Sequence, residues 1–529
     1  MNVLRTTLGV ALGLLLLGAP ALAAVAEPAR VSLYEQALEP TALNKIDLLV
    51  FARLARLGIK PARVCSDGVF VRRAFLDIIG TLPTAQEACE FIGDETPGKR
   101  QVLVEQLLAR GEFADYWTMR WCNLLRVKAE FPINLWPNAA QAYHRWIRAS
   151  IRDNLPYDRF VRELLTGNGS NFGVGQVNFY RAMQTRDPQG IARAVALIFM
   201  GERAEQWPKE RLEGLAGFFA QVGYKGTAEW KEEIVFWDPA KTNDQGRVTR
   251  RAVFPDGRAE NLDPDRDPRV VFADWLITPK NPAFGRCIAN RVWAWFMGRG
   301  IINEPDDIRP DNPPVNGELL DHLAKELAVA HWDMKQLFRL ILSSRTYQLS
   351  SIPRSADPAA AENFAFYPVR RLEAEVLIDA LNQITGTTEK YTSAIPEPFT
   401  FIPEHQRAIA LPDGSITSSF LEMFGRPARD TGLESERNSR PTAGQRLHLL
   451  NSSHIQRKLE QGPGIRKILH GATAPREIVA ELYLTILARY PTEPELRLVD
   501  EYARAGGRDE ASLDLAWALI NSAEFLHRH

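Results

Sequence analysis

Cysteine is scarce in this sequence, and the few that occur are scattered. Only four are present among 529 residues, namely Cys65, Cys89, Cys122 and Cys287. They form neither a C-x-x-C pair nor a C-x-x-C-H motif, so neither a disulfide framework nor covalent haem attachment is indicated. One disulfide bond remains possible in an oxidising compartment, but buried free thiols are the expected state.

The chain also lacks an excess of charge of either sign. Its formal net charge is −1, and removal of residues 1–26, which contain one cation, makes it −2. Net charge therefore gives no support to a polyanion-binding role, and we expect no nucleic-acid partner. Lysine is rare, because 50 of the 64 basic residues are arginine. Either GC-rich coding explains this bias, or arginine forks hold buried carboxylates or an anionic ligand.

Long apolar runs are absent except at the start of the chain. Arg5 precedes the run from Leu8 to Leu17, and two small-residue cleavage sites end at Ala23 and Ala26. This pattern predicts a secretory signal peptide over residues 1–26, because the apolar run is too short for a permanent membrane span. We therefore expect an exported protein, periplasmic or extracellular, with no membrane span after cleavage.

One sequence pattern that predicts helices occurs twice, near the two ends of the chain. Each copy has an apolar helix, then a Pro-Thr-x-x-Glu sequence, then a helix that closes on a Glu-Phe pair. A Thr and a Glu at this spacing form a capping box, which predicts a helix start but no chemistry. An internal echo indicates related helical units, and we expect the two units to frame opposite ends of the molecule. The residues concerned are Thr84 and Glu87 with Glu112-Phe113, and Thr492 and Glu495 with Glu524-Phe525.

Helical periodicity dominates the remaining sequence. The apolar residues Ile478, Val479, Leu482, Tyr483, Ile486 and Leu487, for example, form one stripe along a helix. Strand patterns are short, as at 233–236 and 247–254, and they lie beside an irregular segment rich in Pro, Gly, Asp and Asn. The sequence predicts a mainly α, multi-helical two-domain protein with minor short β-strands near the inter-domain segment.

Several longer motifs resemble a known pair of domains. RRAFLDIIGTLPT, LLARGEFADYW and TGNGSNF lie in the first half, and NPAFGRCIANRVWAWFMGRGIINEPDDIRPDNPP, YPVRRLEAEVLIDAL and GQRLHLLNSSHI lie in the second. They resemble the paired planctomycete-type domains of unknown function 1549 and 1553, also called planctomycete cytochrome-associated domains. The resemblance places an N-terminal helical domain at 43–240, a linker at 241–267, a C-terminal helical domain at 268–510 and a last helix at 511–529. It implies export and association with surface or polysaccharide-system proteins, without a settled activity.

The chain departs from this family at one place. Many members resemble haem proteins there, with a C-x-x-C-H motif after an apolar Phe-Leu-Gly segment. The matching residues 199–208 read FMGERAEQWP, which contains neither cysteine nor histidine. Because c-type haem requires thiols and an axial ligand, we expect no haem. We also expect no other cofactor and no bound metal.

The first candidate site is a loop rich in carboxylates. Asp306, Asp307 and Asp311 follow the helical residues Asn290 and Arg291. Adjacent carboxylates could bind a hard cation through their oxygens. They could equally cap the next helix and pair with the arginines, and this structural interpretation is the one we favour. The two histidines His448 and His454 are six residues apart, which is not ligand spacing on one helical face.

The second candidate is the charged segment FGRPARDTGLESERNSRP. Either it is a functional loop, with arginine forks for carboxylate, sulfate or sugar hydroxyls and a glutamate as acid, or it is an ion-pair network between domains. Arg370, Arg371 and Glu373 could join it in space. The candidates in this segment are Arg426, Arg429, Asp430, Glu434, Glu436 and Arg437. The chain end at 527–529, HRH, is expected to be frayed.

Two functional hypotheses follow. The first is an exported helical binding or scaffold protein of a surface or carbohydrate-handling system. The second is a glycan-directed hydrolase that uses Glu434 or Glu436 together with Asp307 in an arginine-rich cleft. The predicted ligand-binding residues are the same under either hypothesis: Arg370, Arg371, Arg426, Arg429, Asp430, Arg437, Asn290 and Arg291.

Overall fold

The structure, a computed structural model, describes residues 33–279, 281–471, 474–506 and 508–529. The predicted signal peptide at 1–26 lies outside the described residues. Among the described residues, no helix has both the length and the hydropathy needed to cross a bilayer.

Helices make up most of the described structure, which confirms the predicted fold class. Those of the first half are α1 (Lys45–Arg56), α2 (Asp67–Ile78), α3 (Ala85–Gly93), α4 (Lys99–Ala109), α5 (Gly111–Leu124), α6 (Pro137–Arg152), α7 (Tyr157–Thr166), α8 (Pro188–Val195) and α9 (Lys209–Ala216). Those of the second half are α10 (Pro268–Leu276), α11 (Pro282–Met297), α12 (Gly317–Val329), α13 (Met334–Leu342), α14 (Ala359–Glu362), α15 (Ala374–Thr385), α16 (Ser419–Met423), α17 (Ala443–Asn451), α18 (Ser453–Gln461), α19 (Pro463–Gly471), α20 (Pro475–Leu487), α21 (Glu493–Gly506), α22 (Arg508–Ile520) and α23 (Ala523–Leu526). Short 3₁₀ turns include Gly175–Tyr180 and Glu434–Glu436.

The strands are short and antiparallel. A three-stranded sheet has the order β1 (Gly169–Ser170), β3 (Glu233–Trp237), β2 (Val222–Gly226), and a hairpin joins β4 (Arg251–Val253) to β5 (Ala259–Asn261). The predicted strand at 233–236 is therefore present, whereas the one at 247–254 shortens to three residues. A third ladder, between β6 (Arg370–Arg371) and β7 (His527–Arg528), lies far from the predicted linker in sequence. The chain end that we expected to be frayed is therefore fixed by strand pairing.

Local sequence explains why the helices start where they do. The side chain of Thr84 accepts from the Glu87 N–H while Glu87 accepts from the Thr84 N–H at 2.8 Å, so the predicted capping box is formed. Thr492 and Glu495 make the same reciprocal contacts at the start of α21, at 3.3 and 2.7 Å. The predicted apolar stripe of α20 is buried along its whole length. Periodicity and capping thus determine these helices locally.

The two halves of the chain share one hydrophobic core. Trp117 of α5 packs against Trp295 and Phe296 of α11 at ring-centroid distances of 5.4 Å, and against Phe338 of α13 at 4.4 Å. Val64 also forms a β-bridge with Leu349. The segment 241–267, predicted to be a linker, contains the β4–β5 hairpin, which packs on α9.

The two echoed units pack against each other. Helix α3 contacts α20, and the Cys89 sulfur lies 3.0 Å from the Tyr490 hydroxyl. Arg72 of α2 donates to the carbonyls of Ile486 and Phe525, at 2.8 and 2.7 Å. The expectation that the units frame opposite ends is therefore wrong, because periodicity identifies the buried face of a helix but not its partner.

Candidate functional site

A strongly charged cleft of about 1020 Å³ is lined mainly by residues of the second half of the chain, with Arg120 of α5 contributed by the first half. We call it the arginine cleft. Seven arginines but only three glutamates line it, so its wall carries an excess of four positive charges although the whole chain has a net charge of −1. The charged lining residues are Arg120, Arg299, Arg370, Arg371, Arg437, Arg440, Arg528, Glu304, Glu373 and Glu434, and the polar ones include Ser435, Asn438, Ser439 and His527.

Glu373 is the central carboxylate of the cleft floor. It occupies the N-cap position of α15, but its side chain makes no cap hydrogen bond and instead pairs with Arg120 and Arg528. Burial alone would raise the pKa of Glu373, but the charges of Arg528 and Arg120 outweigh burial and hold that pKa far below its ordinary value. Glu373 is therefore ionised at any physiological pH and anchors the floor arginines.

The short β6–β7 ladder brings two distant parts of the chain to the same floor. Arg370 pairs in register with Arg528, and Arg371 with His527. Arg528 also donates to Asp77 at 3.0 Å, while Arg370 donates to the backbone carbonyls of α11 residues 295 and 296 at 3.0 and 2.7 Å. The guanidinium groups are thus held by carboxylates and carbonyls before any ligand binds.

Arg437 and Arg371 extend this positive surface towards solvent. Arg437 makes a bidentate pair with the buried Glu375, at 2.6 and 3.0 Å. Arg371 instead donates to the carbonyls of Phe424 and Asn438, at 2.7 and 3.2 Å. Burial, together with the neighbouring Arg437, lowers the pKa of Arg371 from its ordinary value. Within the described part of the chain neither Arg371 nor the exposed Arg440 forms an ion pair, but Glu373 partly offsets the charge of Arg371, so Arg440 is the less compensated cation.

The three predicted catalytic carboxylates do not share one wall. Glu434 lines the cleft, where it accepts a hydrogen bond from the Trp295 indole and donates its backbone N–H to Asp306 at 2.7 Å. Glu436 instead accepts the backbone N–H groups of residues 430 and 431, at 2.8 and 3.2 Å, and so closes its own loop. Asp307 lies outside the cleft lining and pairs with Arg309 at 3.3 Å.

Three other predicted ligand-binding residues of the charged segment support the cleft from below. Arg429 is fully buried and donates to the Asn123 side chain at 3.0 Å. Arg426 is also enclosed, and it donates to the Asp413 carbonyl at 3.2 Å. Asp430 pairs with Lys128 at 2.6 Å. Arg429 and Asp430 thus fix the segment against the first half of the chain, and Arg426 fixes it within the second half, so all three side chains are engaged in contacts inside the protein.

Asn290 and Arg291 have a similar supporting position behind the opposite wall. The Asn290 amide donates to the Ile302 carbonyl at 2.9 Å and accepts the Ile302 N–H at 2.8 Å. Arg291 pairs with Asp306 at 2.8 Å, with both side chains buried. The arginine pairing of the structural interpretation is therefore present, but the next helix, α12, is capped by Asn316 and not by these aspartates. Of the residues predicted from the sequence, only Arg370, Arg371, Glu434 and Arg437 line the cleft, together with Glu373.

Sequence reasoning missed about half of the charged cleft residues. Arg120 comes from α5, Arg299 from the turn after α11, Arg440 from the loop before α17, and His527 and Arg528 from the chain end. Arg440 lies within the charged segment and Arg299 within a family motif, but neither was singled out there. For Arg120, His527 and Arg528 no local motif gave a signal.

Two family models match the chain. One, described as a protein of unknown function, DUF1549 or PSCyt2, matches residues 45–207, and the other, described as a protein of unknown function, DUF1553 or PSD1, matches residues 268–503. No curated protein and no solved structure matches the chain. Arg120 falls within the first match and residues 299–440 within the second, whereas His527 and Arg528 lie beyond both.

Proposed function

Because the chain belongs to the family in which DUF1549 and DUF1553 are paired, and neither description assigns an activity, we propose a function from the cleft itself. The protein is an exported binding protein of a surface or carbohydrate-handling system, and the arginine cleft holds an anionic glycan that bears sulfate or carboxylate groups. It needs no haem for this role.

The uncompensated charge of the cleft supports this proposal most strongly. Guanidinium groups bind planar or tetrahedral oxyanions through paired N–H donors. Arg440 is exposed and has no carboxylate partner among the described residues. Arg371 adds a positive charge, although its N–H groups donate to Gln445 and to two backbone carbonyls. Arg120, Arg370 and Arg528 form a fixed positive floor behind them. An anionic group entering the cleft would therefore meet positive charges already held in place, which reduces the ordering cost of binding.

The neutral residues of the cleft fit the rest of such a ligand. Ser435, Asn438 and Ser439 present hydroxyl and amide groups beside the arginines. Side chains of this type can both donate to and accept from sugar hydroxyls. A site for inorganic phosphate alone would not need a volume of about 1020 Å³, whereas an oligosaccharide would occupy it.

Two observations favour binding over hydrolysis. Glu373, the carboxylate nearest the floor arginines, cannot act as a general acid beside Glu434, because Arg528 and Arg120 hold its pKa far below the ordinary value. Glu436 and Asp307, the other predicted carboxylates, do not line the cleft with Glu434. The arrangement of the cleft residues therefore favours anion binding over catalysis by a pair of carboxylates.

The test is calorimetric titration of the chain with matched oligosaccharides, one sulfated and one chemically desulfated. We expect the sulfated form to bind and the affinity to fall with added salt, because exposed charges are screened. The double variant Arg371→Gln, Arg440→Gln should lose about tenfold or more in affinity, since each charge-assisted hydrogen bond contributes about 1.5–3 kcal/mol.

The control variant is Arg457→Gln, which removes an exposed arginine of α18 outside the cleft lining. It should bind as the wild type does. Equal affinity for the sulfated and desulfated forms, or equal effects of the cleft and control variants, would refute the proposal. Release of reducing ends that Glu434→Gln abolishes would support the hydrolase hypothesis instead.

A further inference from the structure

Two histidines meet where helices α17 and α18 join. His448 lies near the end of α17 and His454 in the first turn of α18, and Ser452 is both the C-cap of the first helix and the N-cap of the second. The His448 Nε2 and His454 Nδ1 atoms are 3.2 Å apart. Their separation of six residues does not fit one helical face, but that argument fails here because the chain turns between them.

The surroundings of this pair are also specific. On its other side, His454 Nε2 lies 2.9 Å from the Glu389 carboxylate, and Lys458 lies 3.3 Å from the same carboxylate. The ring of Phe420 is edge-on to both imidazoles, with centroid distances of 5.8 and 6.0 Å, and Phe424 is edge-on to His448 at 6.2 Å. The pair is therefore enclosed by apolar rings on one side and oriented by a carboxylate on the other.

We propose that His448 Nε2 and His454 Nδ1 bind one divalent transition metal ion, such as Zn²⁺ or Ni²⁺. At the usual Zn–N distance of about 2.05 Å, nitrogens separated by 3.2 Å subtend an angle of about 100° at the metal, which is close to tetrahedral. Imidazole suits zinc, copper and nickel, whereas magnesium and calcium prefer oxygen ligands. The proposal is independent of the arginine cleft.

Glu389 has the position of an outer-shell carboxylate. A metal-binding histidine commonly donates its second ring N–H to a carboxylate, which fixes the tautomer and raises the basicity of the ligand nitrogen. The Glu389 carboxylate lies 2.9 Å from His454 Nε2, so it would accept the Nε2–H and leave Nδ1 free to act as a ligand.

The number of protein ligands at this site is limited. No group of three or more His, Cys, Asp or Glu side chains in the described residues could hold a metal. The protein therefore supplies two ligands, and water completes the coordination. This predicts moderate affinity rather than the tight binding of a structural zinc site.

The test is calorimetric titration of the chain, purified without a histidine tag, with ZnCl₂ and with NiCl₂. We expect one ion per chain with micromolar affinity. His448→Gln and His454→Gln should each weaken binding by at least about tenfold, and Glu389→Gln by about tenfold through loss of the outer-shell carboxylate charge. The matched control is His470→Gln, an exposed histidine of α19, which should leave binding unchanged.

Absence of one-site binding would overturn the proposal, and so would unchanged affinity in both His448→Gln and His454→Gln. Either glutamine variant could lose its fold, so X-ray absorption of the zinc-loaded wild type supplies an independent measurement. Two imidazole ligands and the remainder water are expected. A thiolate ligand, as would come from the exposed Cys89, or fewer than two imidazoles would also contradict the assignment.

Discussion

The two copies of the Pro-Thr-x-x-Glu phrase build the same ion-pair arrangement in different surroundings. In the N-terminal triad, Arg110 pairs with Glu87 of the capping box at 2.7 Å and with Glu112 of the Glu-Phe pair at 2.6 Å. In the C-terminal triad, Arg489 pairs with the equivalent residues Glu495 and Glu524, at 2.8 and 2.7 Å. One arginine thus joins the start of one helix to the Glu-Phe pair in each copy.

The side chains of the two triads differ in their exposure to solvent. The Arg110 side chain is 32% exposed, whereas that of Arg489 is 11% exposed and also lies 5.1 Å from the Tyr483 ring centroid. The N-terminal triad borders a second cleft of about 440 Å³, and the C-terminal triad is covered by Tyr34, whose hydroxyl donates to Glu524 at 3.3 Å. The comparison teaches that a repeated motif fixes the contacts, while burial decides how strongly those contacts stabilise the fold.

The largest expected difference between the copies concerns the two arginines. Arg489→Met should destabilise the protein by about 3 kcal/mol or more, because it leaves two partly buried carboxylates facing each other without a cation. Arg110→Met should cost at most about 1 kcal/mol, because water screens the exposed pair. The measurement is the free energy of unfolding in urea. Equal losses for the two variants would show that burial does not distinguish the triads.

A second expected difference between the two triads is the loss of folding stability at low pH, and it should be smaller than the difference between the two arginine variants. Burial alone would raise the pKa of Glu495, but hydrogen bonds from Arg489 and Thr492 outweigh it and lower the pKa from 4.5 to about 2. A depressed carboxyl pKa contributes stability that is present above about pH 4.5 and is lost as pH falls towards 2.

Glu495→Gln should therefore flatten the loss of stability between pH 5 and pH 3, measured as the urea midpoint at each pH. Glu112→Gln should reduce the same pH-dependent loss of stability by less. The hydrogen bond from Arg110 lowers the pKa of Glu112 too, but that pair is more exposed. A larger effect from Glu112→Gln would contradict the ranking.

The smallest expected effect is that of the capping threonines. Thr84→Ala and Thr492→Ala each remove the cap hydrogen bond at a helix start and the hydroxyl's hydrogen bond to the capping-box glutamate, and each should cost about 1 kcal/mol. Both boxes have the same local geometry, so the two losses should be equal within about 0.5 kcal/mol. If Thr492→Ala cost several times more than Thr84→Ala, the cap and the ion-pair triad would be coupled in the C-terminal copy.

Much of the local structure could be predicted. Both capping boxes, the apolar stripe of α20, the strand at 233–236 and the scarcity of longer strands are as expected, because each depends on residues within a few positions of one another. The β6–β7 ladder could not be predicted, because its strands are only two residues long and lie more than 150 positions apart.

The residues of the candidate site could be predicted from the sequence only in part. The charged segment 426–437 was recognised, but its side chains divide between opposite sides of the backbone. Glu434 and Arg437 line the cleft, while Arg429 is fully buried beneath it. The type and charge of a side chain do not show whether it faces the cleft or the protein interior. The orientation of these three side chains could therefore not be predicted from the segment itself.

The amino-acid sequence by itself determined that this protein is built from capped, amphipathic helices, since hydrogen-bonding side chains and apolar periodicity act within one or two helical turns. Only the tertiary structure decided that the echoed units touch, that His448 faces His454, and that arginines from α5, the second half and the chain end converge on Glu373. Such convergence depends on which buried faces pack together, and many pairings satisfy the same local pattern. The charges that define the cleft are therefore a product of packing rather than of any one motif.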